Sequence, residues 1–390
     1  MYFLDALDAA DRAFHQEVLA FIEKELEPAL AAADDDQRTF VADHHRGNAW
    51  LKKLRPRRWH AGHWPASAGG AGLSPVQNYL LLYALGYAGA PAPPPMGLIY
   101  VGPTIVRFGT PAQHETYLPP LLDGTDEWCQ GFSEPGAGSD LAGLSTFAER
   151  RGDRYIINGS KIWTTDAHYA DRIFMLLRTA KENTRDAMSF LLVDMNAPGV
   201  SVRPIRMLTG DHEFNQVFFD NVEVSTACRL GEEGQGWEIA RYLLEIERGS
   251  FVFSGRLRRR LEKLIERIRV ANRLSPRIVA ALAQLDRDLL AYESMEFRMG
   301  ALGAGGALRA ASANLIKIEW TELLQRIDDL ALETGDASML FGSPGSAPDG
   351  GQPMAPALAS CFNNLAATIY GGSNEIQRNL VMRTLRQVWG

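Results

Sequence analysis

A single acidic residue, Glu247, interrupts the apolar face of a predicted helix. Apolar periodicity predicts one helix over residues 237–257, and at roughly 100° per residue Arg241, Glu245 and Arg248 fall together on a narrow polar strip. Glu247 instead lies in the apolar arc. Apolar surroundings raise the pKa of a carboxylate toward neutral, which suits a general base. The alternative is a buried ion pair with Arg241 or Arg248.

A glycine- and serine-rich stretch, CQGFSEPGAGSDLAG, predicts a loop that can approach a ligand closely. Gly136 and Gly138 permit tight backbone turns, while Ser133 and Ser139 can donate hydrogen bonds to phosphate or carbonyl oxygens. Most such loops are only turns, so this stretch by itself is weak support for a binding site.

Two further stretches could complete such a site. In NGSKIWTT, Trp163 stands beside two threonines on a predicted strand, where a flat ring and hydroxyl donors could cover a planar heterocycle; a core tryptophan is the alternative. In IYGGSNEIQRN, paired glycines before Ser373 predict a helix N-terminus that could admit an anionic or carbonyl group. A simple N-cap is the alternative there.

The composition excludes several classes of protein. Charged residues form 22% of the 390 residues, and a formal net charge of −7 disfavours nucleic acid as the main partner. The three cysteines form no CxxC pair, which fits a reducing cytoplasm and indicates neither zinc nor disulfides. No apolar run approaches the roughly 20 residues of a membrane span. The clustered histidines lack acidic or cysteine companions at ligand spacing, so no metal site is predicted at His44, His45, His60 or His63.

The pattern of apolar residues changes twice along the chain. Helical periodicity occupies residues 1–123, short β-branched and aromatic runs separated by turn signals occupy residues 124–234, and long helical periodicity returns over residues 235–390. The predicted fold class is therefore mainly α with a central antiparallel β domain between two helical domains.

The ordered motifs resemble those of one family. WCQGFSEPGAGSD, INGSKIWTT, ERG and IYGGSNEIQRN, in a helical, β, helical frame, resemble acyl-CoA dehydrogenases over essentially the whole chain. The resemblance implies an N-terminal helical domain, a middle β domain and a C-terminal four-helix bundle. It also implies FAD as cofactor and oxidation of the Cα–Cβ bond of an acyl-CoA thioester to a trans-2-enoyl-CoA.

The resemblance carries over to individual residues that would contact FAD. These are Gln130 and Phe132 lining the flavin, Ser133 on its pyrimidine edge, Gly138 in the same loop as Ser139, which would meet the pyrophosphate, Trp163 flanking the isoalloxazine, Thr165 donating toward N5, and Ser373 and Glu375 from the C-terminal helix.

The position of the catalytic base distinguishes branches of the family. Many members keep it in a Tyr-Glu-Gly-Thr motif, but residues 370–373 read Tyr-Gly-Gly-Ser and lack the glutamate. Another branch, including isovaleryl-CoA and long-chain acyl-CoA dehydrogenases, carries it on the preceding helix before an arginine, as Glu247 and Arg248 do here. The resemblance implies that Glu247 takes the α-proton while a hydride leaves for the flavin, that Arg248 helps to hold the substrate, and that the Gly371 N–H polarises the thioester carbonyl. An electron-transfer flavoprotein is the implied acceptor.

Two family motifs are missing. Most relatives carry Arg-x-x-Phe-Gly and Gln-x-x-Gly-Gly-x-Gly segments that reach the neighbouring subunit's FAD, whereas this chain reads SGRLRRRLEKLIERIR and DGGQPMAPALASCFNN. The pattern resembles the large subunits of pimeloyl-CoA dehydrogenase and of α2β2 enzymes that shorten steroid side chains, which predicts a heteromer with a second acyl-CoA dehydrogenase-like chain. A homo-oligomer, a non-catalytic structural subunit, and an acyl-CoA oxidase or flavin monooxygenase on the same fold are the alternatives. The acyl group is left open among straight, branched, dicarboxylic and steroidal chains.

Overall fold

Helical segments flank a β-rich middle segment, in the order that the sequence predicts. The predicted fold class, mainly α with a central and largely antiparallel sheet, is confirmed. No helix in the part of the chain that is described is both long and apolar enough to cross a membrane. The computed structural model describes residues 7–35, 44–92, 94–182, 184–249, 252–301, 306–335 and 354–389.

The chain divides into two compact units. The first unit joins Met1–His63, Ala71–Pro93 and Arg248–Gly390, and the second joins Trp64–Gly70 and Pro94–Glu247.

The first unit is helical, and one of its cores lies among three long helices. Along α8, α9 and α10, buried apolar residues recur every three or four positions, as in Leu257, Leu261 and Leu264 of α8. Each helix therefore has one apolar stripe against its neighbours. The helices are α1 (Ala9–Glu25), α2 (Pro28–Asp35), α3 (His44–Leu54), α4 (Pro75–Ala88), α8 (Ser254–Val270), α9 (Pro276–Ala301), α10 (Gly306–Thr334), α11 (Pro356–Asn364) and α12 (Asn374–Trp389).

The single helix predicted over residues 237–257 is wrong in its length, because the structure has two helices there. One helix, α7 (Gly236–Gly249), ends at Gly249, and α8 begins at Ser254. The backbone N–H groups of Phe253 and Ser254 donate to the buried carboxylate of Glu296 on α9, at 2.9 and 3.3 Å. The first N–H groups of a helix have no partner within it. Glu296 supplies that partner and so fixes where α8 begins.

Glu296 is expected to make the stability of this unit depend on pH. Burial raises the pKa of Glu296 to about 7, against hydrogen bonds from Ser254, Tyr292 and Phe253. Because this pKa lies above its ordinary value of 4.5, the folded protein binds the proton more tightly than the unfolded chain does. The stabilisation is complete below about pH 4.5 and is lost as pH rises through about 7, by up to roughly 3 kcal/mol.

Urea unfolding at about pH 5 and about pH 8 measures this contribution. We expect the free energy of unfolding to fall less between the two pH values in Glu296→Gln than in the wild type, since glutamine does not titrate. An equal fall in both proteins would contradict the assignment.

The second unit is built on an eight-stranded sheet. Its order is β6-β7-β3-β2-β4-β5-β8, with β1 pairing in parallel to β4 and most other neighbours antiparallel. β4 and β5 are buried along almost their whole lengths. The strands are β1 (Trp128–Gly131), β2 (Phe147–Arg151), β3 (Arg154–Thr165), β4 (Arg172–Arg178), β5 (Met188–Asp194), β6 (Val200–Arg206), β7 (His212–Ser225) and β8 (Arg229–Leu230).

Among the described residues of this unit, three α-helices accompany the sheet in the chain. They are α5 (Gly102–Phe108), α6 (Pro111–Asp123) and α7 (Gly236–Gly249), whose residues as far as Glu247 belong to the second unit. The side chain of Gln113 on α6 donates to the carbonyls of Ala227 and Arg229, at 2.9 and 2.8 Å, next to strand β8. This amide therefore joins α6 to the edge of the sheet.

Candidate active site

The loop after β1 is anchored by a buried ion pair. Lys161 on β3 is fully buried and places Nζ 2.7 Å from a carboxylate oxygen of Glu134. The ammonium also donates to the carbonyls of Phe132 and Leu176, at 3.2 and 2.7 Å. Each of its three N–H groups therefore has an acceptor, as a buried ammonium requires.

The Glu134 carboxylate, the acidic partner of the pair, also has several hydrogen-bond donors. Glu134 accepts from the backbone N–H of Ser145 at 2.6 Å, the Ser145 hydroxyl at 2.8 Å and the backbone N–H of Thr146 at 2.9 Å. Burial alone would raise the pKa of Glu134, but the Lys161 charge and these hydrogen bonds lower it to about 2. Burial lowers the pKa of Lys161 to about 8, against the attraction of Glu134. Glu134 near the start of the loop is thus joined both to Lys161 and to Ser145 and Thr146 at the end of the loop.

The loop between these anchors is open around its two glycines. Apart from each glycine and its two chain neighbours, no heavy atom of the described residues lies within 4 Å of the position that a β-carbon would occupy on Gly136 or Gly138. Glu134 and Ala137 exchange two backbone hydrogen bonds, of 2.8 and 3.0 Å, which turn the chain. Gly138 and Ser139 are exposed. The loop therefore has room for a ligand at Gly138, where the sequence predicts one.

Three other predicted site residues lie just before this loop. Gln130 is half-buried on β1. The Phe132 ring packs edge-on against two other core phenylalanine rings, with centroids 6.0 Å away, so any contact of Phe132 with a cofactor would be made by its backbone. Ser133 is half-buried, and its carbonyl accepts from the Ile162 N–H at 2.9 Å. This bond ties the loop to β3.

Strand β3 carries a bulge at Trp163. Lys161 pairs with Val217 and Thr164 with Asn215, so β3 has one residue more than β7 in this interval. Trp163 has φ 59° and is 59% exposed. A left-handed backbone is rare for a bulky residue and costs on the order of 1–3 kcal/mol. The strand thus keeps a strained conformation that presents a large aromatic ring at the surface of the second unit.

The two threonines beside this ring are buried, and one hydroxyl lacks a partner. Among the described residues no hydrogen-bond partner faces Thr164 Oγ1, although the side chain is fully buried. An unsatisfied buried hydroxyl costs about 1–3 kcal/mol. Thr165 is also buried. The exposed Trp163 ring, the unsatisfied hydroxyl of the next residue and the open glycine loop of the same unit are features that fit a flat, hydrogen-bonding ligand such as a flavin.

Glu247 lies two residues before the end of α7. On the same helix Ile239 and Leu243 are fully buried, whereas Glu245 is exposed. Glu247 is half-buried, so it is only partly shielded from water. Arg248 follows it on the helix, and its side chain lies outside the described part of the structure.

The predicted C-terminal site residues lie at the start of α12, in the first unit. Gly371 and Gly372 have φ of 64° and 84°, which glycine adopts without strain. Gln377 Nε2 donates to the carbonyls of both, at 2.8 and 3.2 Å. A β-carbon on Gly372 would lie 2.5 Å from this nitrogen. The turn therefore requires glycine at that position.

Ser373 acts as the N-cap of α12, since its hydroxyl accepts from the Ile376 N–H at 3.4 Å. Glu375 is exposed in the first turn, and its backbone N–H and the Ser373 hydroxyl lower its pKa. Asn374 is buried and accepts from Lys317 Nζ at 2.8 Å. The start of this helix is therefore firmly held and carries an acidic residue in its first turn.

The Glu134–Lys161 pair was missed at the level of sequence, although a signal for it exists. Lys161 shares one face of β3 with the fully buried Tyr155 and Ile157, so it is a lone charge on an apolar face. Glu134, by contrast, stands in a loop, where an acid gives no such signal.

Known proteins match the chain along most of its length. Family models for the acyl-CoA dehydrogenase N-terminal, middle and C-terminal domains match residues 8–125, 129–222 and 234–386. The acyl-CoA dehydrogenase IpdE1 of Mycobacterium tuberculosis is 37% identical over 340 residues, which cover 85% of this chain and 86% of the relative.

Solved structures agree with these matches. The Tcur3481-Tcur3483 steroid ACAD has a TM-score of 0.82 and 28% identity, covering 98% of both chains. The ChsE4-ChsE5 complex from Mycobacterium tuberculosis has a TM-score of 0.80 and 27% identity, again covering 98% of both chains. On the family models, the sequence identity and the fold together, this chain is a member of the acyl-CoA dehydrogenase family.

Proposed function

We propose that this chain is the base-bearing subunit of a flavin-dependent acyl-CoA dehydrogenase. In this proposal it converts an acyl-CoA thioester to a trans-2-enoyl-CoA. The observation that carries the proposal is Glu247, a half-buried carboxylate near the end of α7, in a chain whose Tyr-Gly-Gly-Ser motif at residues 370–373 has no acid.

Glu247 would accept the α-proton of the thioester. That proton is weakly acidic, so the reaction needs both a positioned base and a donor for the charge that develops on the carbonyl oxygen. The Gly371 N–H is the proposed donor, because a glycine with positive φ turns the backbone without a side chain in the way. Arg248 is the proposed contact to the substrate.

FAD is the proposed cofactor, and when bound it would supply the hydride acceptor. The residues of the second unit fit it by the observations above, namely the open loop at Gly138, the exposed Trp163 ring and the unsatisfied Thr164 hydroxyl. Around these, Gln130, Phe132, Ser133, Ser139 and Thr165 would complete the contacts of that unit, and Ser373 and Glu375 would add contacts from the start of α12.

The cofactor proposal predicts a selective effect of Gly138→Val. The side chain would occupy the empty space beside the loop, so it should cost the apoprotein little and should obstruct the pyrophosphate. We expect the FAD dissociation constant to rise about tenfold or more, which corresponds to about 1.4 kcal/mol. Isothermal titration with FAD measures the change, and thermal unfolding of the apoprotein is the control. Unchanged affinity would exclude this loop from the cofactor site.

A second acyl-CoA dehydrogenase-like chain is the proposed partner. The sequence lacks both motifs with which family members reach the neighbouring subunit's FAD. The ChsE4-ChsE5 and Tcur3481-Tcur3483 structures are each named for two components. An electron-transfer flavoprotein is the proposed acceptor, and steroid-derived thioesters are the first substrates to test, because one of these neighbours is a steroid ACAD.

Anaerobic addition of acyl-CoA thioesters to the co-expressed complex tests the function. We expect at least one thioester to bleach the flavin absorbance and to yield an enoyl-CoA product. Absence of bleaching with every thioester in a screen of straight, branched, dicarboxylic and steroidal chains would favour a structural subunit. Rapid peroxide formation in air would favour an oxidase.

A further inference from the structure

A buried asparagine on β7 connects two histidines to the end of β3. Asn215 is fully buried, and its Nδ2 lies 3.1 Å from the Thr164 carbonyl oxygen and 3.1 Å from His168 Nδ1. Its Oδ1 lies 2.8 Å from His212 Nε2. The two imidazole rings stack with their centroids 4.0 Å apart. These four residues all belong to the second unit.

The Thr164 carbonyl fixes the direction of every hydrogen bond in this cluster. A carbonyl oxygen can only accept, so the Asn215 nitrogen must face it and the Asn215 oxygen must face His212. His212 therefore donates through Nε2. The Asn215 nitrogen also lies 3.4 Å from the Glu213 carbonyl oxygen, which is farther than the 3.1 Å to His168 Nδ1. We therefore assign the second N–H of Asn215 to His168, which accepts at Nδ1. The three side chains have one consistent arrangement of protons.

The Thr164 carbonyl, which Asn215 holds, lies next to the strained residue Trp163. Thr164 follows Trp163 directly, at the end of the bulge, and its carbonyl is the acceptor that Asn215 engages. A rare backbone conformation persists where its surroundings determine it from several sides. On the other side of the bulge, the Ile162 N–H donates to Ser133 at 2.9 Å. Asn215 is the matching restraint after Trp163.

We infer that Asn215, oriented by His168 and His212, is a positioning residue that holds Trp163, Thr164 and Thr165 in the conformation that binds the flavin. The inference rests on the proposed function for its ligand. The positioning itself can be tested without one. Nothing in this role requires the three side chains to touch the substrate.

The positions of the protons predict that opposite substitutions are tolerated at the two histidines, Asn in place of His168 and Gln in place of His212. The Asn side chain can place an oxygen where His Nδ1 lies, and the Gln side chain can place a nitrogen where His Nε2 lies. His168→Asn keeps the acceptor and His212→Gln keeps the donor, so both should behave as the wild type does. His168→Gln and His212→Asn misplace these groups, and Asn215→Leu removes all of them.

Two measurements separate positioning from cofactor binding. Hydrogen exchange of the backbone amides of residues 162–166, followed by mass spectrometry on the apoprotein, reports the segment itself. Equilibrium titration of the purified protein, with its partner chain where that co-purifies, gives the FAD dissociation constant. The matched control is Asn158→Asp, an exposed β3 residue that accepts from the Asn221 N–H at 2.9 Å and can still do so after the change. The change removes only a long, exposed contact of 3.4 Å from the Asn158 amide nitrogen to Asn221 Oδ1.

We expect faster exchange and roughly tenfold weaker FAD binding in Asn215→Leu, His168→Gln and His212→Asn. His168→Asn and His212→Gln should stay within about twofold of the wild type, since they keep their hydrogen bonds. The control should also stay within about twofold, since it loses only one long, exposed contact. The inference is overturned if Asn and Gln rank in the same order at both histidines, or if exchange in Asn215→Leu is unchanged. Wild-type protein that binds no FAD would overturn the proposed function instead, and the exchange pattern would still decide the positioning role.

Discussion

Glu247→Gln is expected to lower the rate of flavin reduction by saturating acyl-CoA by roughly 10²–10⁴-fold, the contribution typical of a positioned general base. Glutamine has nearly the same shape and cannot take up the α-proton. Substrate and FAD should still bind, because neither interaction in the proposal requires the negative charge. Stopped-flow absorbance under anaerobic conditions measures the rate, and titration with a non-reducible thioester measures binding.

Glu245→Gln is the matched control for this experiment. Glu245 lies two residues earlier on α7, carries the same charge and is exposed. We expect its reduction rate to stay within about twofold of the wild type, as for most surface changes away from special features. Equal losses in the two variants would indicate damage to α7, and full activity in Glu247→Gln would remove Glu247 as the base.

The second large effect is expected in stability, at the Glu134–Lys161 pair. Lys161→Met leaves the Glu134 carboxylate buried without its counter-charge, and breaking a buried pair in this way costs about 3–5 kcal/mol. The free energy of unfolding from urea denaturation of the apoprotein measures the loss. As the control, Arg151→Met removes an exposed pair with Glu149 whose charged atoms are 2.8 Å apart, and we expect a change below about 1 kcal/mol.

The double variant Glu134→Leu with Lys161→Met tests whether the damage arises from an unpaired charge. Replacing a buried ion pair by apolar residues is often close to neutral in stability. We therefore expect the double variant to unfold at a higher urea concentration than Lys161→Met alone. If the two losses simply added, the two groups would not be coupled.

Local sequence patterns predict the order of elements well, because periodicity and turn residues act over short distances. The order of a helical segment, a β segment and a second helical segment follows from local residue patterns alone. The break between α7 and α8 does not, since the carboxylate of Glu296 that satisfies Phe253 and Ser254 lies more than 40 residues further along the chain. A helix end fixed by a distant side chain leaves no local signal.

In the candidate site, too, some residues carry a local sequence signal and others are positioned by distant parts of the chain. Glu247 is a lone charge on the apolar face of a predicted helix, and Lys161 is a lone charge on the apolar face of β3, so both can be found from local sequence. The loop residues Gly136 and Gly138 follow from composition. The bulge that exposes Trp163 and the buried amide of Asn215 depend on the register between β3 and β7, which no single stretch of sequence specifies.

The end of β3 combines backbone strain at Trp163 with an unsatisfied hydroxyl at Thr164. Both penalties act on the same few residues, and a ligand that hydrogen-bonds there would relieve at least one of them. Any ligand that binds only the folded state also shifts the folding equilibrium by mass action. If the proposed cofactor binds there, the loaded protein should resist unfolding more than the empty protein does, without needing a change of shape.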